Sequence, residues 1–122
     1  MNSQLKQWPC QIKLIDPAHA AFDNNKLLIA ADCAAYAYAD FHKDFMQDNV
    51  TVIGCPKLDD VNYAIKLKEI IERNNITEIT VVRMEVPCCG GISYAVETAL
   101  KEIDKDIPLS THVISVGGEL LE

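Results

Sequence analysis

The chain has 122 residues, with 11 Lys plus Arg against 18 Asp plus Glu, a formal charge of -7, and five cysteines. That length makes one domain with a proper core, which needs neither disulfide nor metal simply to fold. The acidic balance and the lack of any basic run argue against nucleic acid and anionic membrane as partners, since both are bound through clustered positive charge. No apolar segment is long enough to span a bilayer, and MNSQLKQWPC has no signal-peptide pattern, so a cytoplasmic location is expected. Thiols stay reduced there, and five cysteines in a short chain then point to metal binding or redox chemistry.

In chain order, residues 1 to 10 are polar apart from Leu5, Trp8 and Pro9, and read as a start that docks through Trp8. QIKLI (11–15) alternates polar and apolar like a half-buried edge strand, and Asp16-Pro17 breaks it. After a loop ending in Asp23-Asn24-Asn25, KLLIAA (26–31) is the continuous apolar run of a parallel strand covered on both faces. Residues 34–47 are Ala-rich, with Tyr38, Phe41 and Phe45 at helical spacing, and predict one helix. VTVIG (50–54) is a second buried strand. Residues 58 to 73 predict a helix with Val61, Ala64, Ile65, Ile70 and Ile71 on one stripe and Asp59 or Asp60 as its cap. EITVV (78–82) is a third buried strand, and Ile92, Ala95, Val96, Ala99, Leu100 and Ile103 mark the clearest helix in the chain. HVISV (112–116) is the last strand, followed by the Gly117-Gly118 turn. Strands alternating with helices predict right-handed crossovers and one three-layer α/β domain over 1–122, with a mostly parallel sheet of flavodoxin or Rossmann type.

Cys33 follows the first buried strand, Cys55 the second, and the pair Cys88-Cys89 the third. Parallel strands end on one rim, where such folds bind ligands. Adjacent strands lie roughly 5 Å apart, so these thiols can meet although the sequence separates them widely. A single cysteine at a strand end is more often packing than ligand, whereas a cysteine after each of three strands marks a metal centre. Four thiolates suit an iron–sulfur cluster, with zinc as the alternative, although the local C-x-x-C pair usual for zinc is absent. Binding by both Cys88 and Cys89 requires a backbone kink, which Pro87 and Gly90 favour. A thiol where a strand hands over to a helix also ionises more readily. Cys10 lies outside the pattern. Lys57 and Arg83 are candidates to offset cluster charge, and Gly54, Gly90 and Gly91 to let backbone N–H groups approach sulfur. Glu85 is a candidate supporting acid, and Tyr36 and Tyr38 are candidates to screen the site. His19, His42 and His112 are not assigned as ligands.

The strings LLIAADCAAYAYADFH, VIGCPKLDD and VVRMEVPCCGGI together resemble, over nearly the whole chain, the domain that follows a two-cluster ferredoxin module in 4Fe–4S binding proteins of anaerobic bacteria. The resemblance implies a redox role and a cluster, [4Fe–4S] above all, on Cys33, Cys55, Cys88 and Cys89. It also implies electron transfer or cluster-based reduction with a redox partner protein such as a ferredoxin, and leaves a homodimer open. The ferredoxin module with its C-x-x-C-x-x-C-x-x-x-C-P runs is missing, so an excised C-terminal domain or a stand-alone version is expected. Cys88-Cys89-Gly90 alone is similar to the Cys-Cys-Gly motif of heterodisulfide-reductase-type subunits. CCGGI is similar to the C-G-G segment of β-class carbonic anhydrases, a zinc hydratase reading; against it, Cys33 lacks the neighbouring Asp-x-Arg pair and no His stands at the needed place before Cys89. A structural zinc or thiol-redox module is the remaining alternative.

Overall fold

Four strands form the sheet: β1 (Asn25–Ala31), β2 (Asn49–Gly54), β3 (Ile76–Met84) and β4 (Leu109–Ile114). The computed structural model describes residues 2–59 and 61–121, and the backbone alone of Cys88. All neighbouring strands are parallel, in the order β2-β1-β3-β4. Asn24 and Asp48, which hold positive φ angles of 62° and 68°, turn the chain into β1 and β2, a conformation that Asn and Asp tolerate better than other side chains.

The connections follow from handedness. A right-handed crossover from β1 outward to β2 lays its helix on one face, and the return from β2 past β1 to β3 lays the next helix on the other. Accordingly α1 (Ala34–Ala37) packs on β1 and β3, whereas α2 (Tyr63–Arg73) and α3 (Gly90–Lys101) pack together on the opposite side. Residues 27–31 of β1, in the middle of the sheet, are all buried, as their unbroken apolar run requires. The layered α/β architecture is therefore the one the sequence predicts. None of the described helices is long and apolar enough to cross a membrane.

Several local expectations are corrected. The edge strand over 11–15 reduces to one parallel bridge, Gln11 to Ile53, followed by a turn in which Leu14 and Ile15 both donate to the Gln11 carbonyl. Ile12 and Ile15 are buried and Leu14 is exposed, so the burial period there is that of a turn and not of a strand. Trp8, expected to dock, is 76% exposed; Gln7 is the buried residue, its Nε2 donating to the Thr51 carbonyl.

The helix expected over 34–47 is broken. α1 ends at Tyr38, which has extended angles, and the chain resumes as a π-helical turn over His42–Met46. The break lets Tyr38, Phe41 and Phe45 meet, with ring centroids 5.3 and 5.6 Å from Phe45, and Phe41 is fully buried. Gly118 of the C-terminal tail also crosses against the Ala37 carbonyl, so closely that a Cβ there would lie 2.6 Å from the oxygen.

α2 starts later than predicted, with Asn62 as its cap, accepting from the Ala64 N–H at 3.1 Å. Asp59 has another use, described below, and Asp60 lies outside the described residues. The buried stripe of α2 is Tyr63, Ala64, Leu67, Ile70 and Ile71, while Val61 and Ile65 are exposed. β4 begins and ends earlier than the HVISV reading, and the tail folds back on it through an Ile114–Leu120 bridge.

Candidate metal centre

Three cysteine positions lie at the ends of three adjacent strands. β1 stands between β2 and β3, and the crossover direction reverses at the β1/β3 junction, where sheets of this kind bind ligands. Cys33 follows β1 as the residue before α1, Cys55 follows β2, and Cys88 and Cys89 follow β3. The kink expected at the doublet is present as a 3-10 turn over Pro87–Cys89 that leads directly into α3.

The tips are tied to one another. The Asp32 N–H donates to the Gly54 carbonyl at 3.1 Å, joining the end of β1 to the end of β2. Across the β1 tip, the turn after β2 reaches the first turn of α3: a Cβ on Gly91 would fall 2.9 Å from Pro56 Cβ. Gly91 therefore lets the Cys55-Pro56 turn press against the segment that carries the cysteine pair. The space a Cβ would take at Gly54 is filled by Tyr63, whose hydroxyl would be 2.6 Å away. These two glycines admit neighbouring side chains, whereas Gly90 is open, with only Arg83 Nη1 near, at 4.0 Å.

Tyr63 is the residue that reading the sequence missed. Its hydroxyl accepts the Cys55 N–H at 2.8 Å and donates to the Asp59 carboxylate, and the Asp59 N–H closes the turn onto the Cys55 carbonyl at 2.9 Å. The i,i+4 spacing of Asp59 and Tyr63 was the only local signal. Burial, and then the bond to Asp59, raise the Tyr63 phenol above its ordinary value, with the Cys55 N–H acting in the opposite sense. Because the folded state favours the neutral phenol, this contribution is complete below about pH 10, the ordinary tyrosine value, and is lost as pH rises above it. Tyr63→Phe is expected to cost about 1–3 kcal/mol at neutral pH, by leaving the Cys55 N–H and the Asp59 carboxylate without this partner. Urea unfolding checks both points: the wild-type midpoint should fall more steeply above about pH 10 than that of Tyr63→Phe.

Exposure differs among the thiols: Cys33 is exposed, Cys55 is half-buried beside a cleft of about 310 Å³ that Asp32 and Asp59 also line, and Cys89 is buried. The side chain of Cys88 lies outside the described residues. Among the described residues, no three His, Cys, Asp or Glu side chains are grouped so as to hold a metal ion. The fold thus brings the cysteine-bearing turns together without gathering the described sulfurs into one ligand set.

The supporting residues divide. Arg83 stands beside the start of α3, while Lys57 is exposed. Glu85 takes the Val116 N–H at 2.8 Å and so holds the turn after β4. Tyr38 donates to Asp44 at 2.6 Å and packs on Phe45, and Tyr36 is 95% exposed, so neither covers the cysteines. His112 packs against Phe45 with the rings tilted and their centroids 5.4 Å apart, and His42 accepts the Gln4 N–H at its Nδ1.

A Rossmann-like domain family matches residues 19–122. A protein of Archaeoglobus fulgidus described as uncharacterized is 34% identical over 115 residues, covering 94% of this chain and 81% of that relative. No solved structure matches the chain. With its parallel sheet, its helices on both faces and this match over most of its length, the chain belongs to the Rossmann-like domain family.

Proposed function

We propose that this is an iron–sulfur redox protein of the cytoplasm in which Cys33, Cys55, Cys88 and Cys89 ligate one cluster, a [4Fe–4S] centre, that exchanges electrons with a partner protein such as a ferredoxin. The observation that carries the reading is the approach of Pro56 to Gly91 across the β1 tip, which makes neighbours of the three cysteine-bearing turns. The donor set fits in kind, since four thiolates are the usual ligands of such clusters. Binding requires the side chains of Cys33, which is exposed, and Cys55, which is half-buried, to turn toward Cys89. When bound, the cluster supplies one-electron transfer. The chain holds it, and the Arg83 guanidinium beside the start of α3 offsets its negative charge. The same reading relates the chain to the domain that accompanies ferredoxin modules in anaerobes, with reduction of a small molecule at the exposed side of the centre as an extension.

Anaerobic purification followed by iron, acid-labile sulfide and zinc analysis of one sample tests it. A brown protein with about four iron and four sulfide per chain is expected. A colourless protein with stoichiometric zinc, after cluster reconstitution has also failed, would replace the redox reading with a zinc one.

A further inference from the structure

A second cleft opens on the α1 side of the same rim, between the N-terminal segment and the π-helical turn. Its volume is about 340 Å³, near the lower end of small-molecule sites, which run from about 300 to 1,000 Å³. Phe41, Met46 and Ile53 give it apolar walls. Polar side chains also line it, and the hydrogen-bonding capacity of three of them is specific. His42 already accepts the Gln4 N–H at Nδ1, so its neutral ring carries its proton on Nε2 and donates from there. Asp32 supplies acceptors and forms no ion pair among the described residues. Thr51 is 2% exposed, yet its Oγ1 has no hydrogen-bond partner among the described residues. A buried hydroxyl without a partner in the wall of a cleft is unusual in a folded chain, because such groups are nearly always satisfied by protein, water or ligand.

We propose that this cleft binds a small uncharged amphiphile, an apolar chain or ring with a hydroxyl head that donates to Asp32 and accepts from His42 and from the Thr51 hydroxyl. The Asp32 carboxylate and the net charge of -7 select against carboxylates and other anions. The site is built from this chain's own side chains and does not depend on whether the cysteines take a cluster. Asp32, the residue before Cys33, and Ala35, two residues after it, both line the cleft, which puts it beside a proposed cluster ligand.

Cys10 provides the readout, being half-buried in the same wall. With the protein as purified, hexan-1-ol is expected to slow iodoacetamide alkylation of Cys10 several-fold and saturably, as followed by mass spectrometry of the Cys10 peptide. Hexanoate at the same concentration should not, and the alkylation rate of Cys55 should not change. Ala35→Trp, on the exposed side of α1, should plug the cleft and remove the protection without changing the thermal midpoint; Ala35→Leu serves the same end if the larger ring disturbs folding. Thr51→Val should raise the hexan-1-ol concentration needed for half-protection. Absence of protection, equal protection by hexanoate, or protection that persists in a folded Ala35 variant would each overturn the proposal. Metal analysis of the same sample reports on the cluster separately, so the two readings fail independently.

Discussion

Cys33→Ser is expected to abolish cluster binding, taking iron from about four per chain to near zero, while leaving the fold intact. Cys33 is exposed at the tip of β1, where a Ser costs the core nothing and surface changes of this kind stay within about 0.5 kcal/mol. Cys55→Ser should behave in the same way. Cys89→Ser is less clean, because Cys89 is buried and the change places a polar group in the core, so Cys89→Ala belongs beside it. Cys88→Ser reports whether both members of the doublet bind. Cys10→Ser should keep its iron, since Cys10 runs along the outer edge of β2, where its carbonyl accepts the Ile53 N–H at 2.8 Å. Iron and sulfide analysis, with circular dichroism as the folding control, gives the answer. Loss of iron in Cys10→Ser with retention in Cys33→Ser would reverse the ligand assignment.

Gly54→Ala is expected to destabilise the protein by about 1–3 kcal/mol, the range for forcing an extra methyl into a packed site. The new Cβ would lie 2.6 Å from the Tyr63 hydroxyl and 2.8 Å from its Cζ. The ring is not free to step aside, because its hydroxyl is shared between the Cys55 N–H and the Asp59 carboxylate. Displacing it opens the turn that follows β2 and moves Cys55 relative to the α3 start. Iron incorporation should therefore fall along with the urea midpoint. A Gly54→Ala protein with unchanged stability would show that Tyr63 does not clamp the turn.

Where an element's burial pattern was set by its own residues, the sequence was a good guide. The apolar stripe of α3 is buried at Ile92, Ala95, Val96 and Ala99, and the three buried strands are at the predicted places. Errors arose where the pattern was short or its partner distant. Five residues at 11–15 could not separate a strand from a turn that buries Ile12 and Ile15. The spacing of Tyr38, Phe41 and Phe45 suited a continuous helix, yet the same three rings meet across a break. The stripe chosen for α2 included Val61 and Ile65, although Tyr63 and Leu67 took their places in the core.

The candidate site divides along the same line. That cysteines end three buried strands is a property of position along the chain, and hydrophobic periodicity reveals strand ends locally. The sequence by itself thus determined the layered α/β class and the common rim, because parallel strands joined by right-handed crossovers leave no other arrangement for their ends. Only the tertiary structure decided the order β2-β1-β3-β4, the approach of Pro56 to Gly91 over the β1 tip, the Tyr63 clamp on Cys55 and the cleft that joins Cys10 to Asp32. Each of these depends on which distant segments pack together, and that pairing is set by the summed burial of the whole core, for which no short stretch of sequence carries a signal.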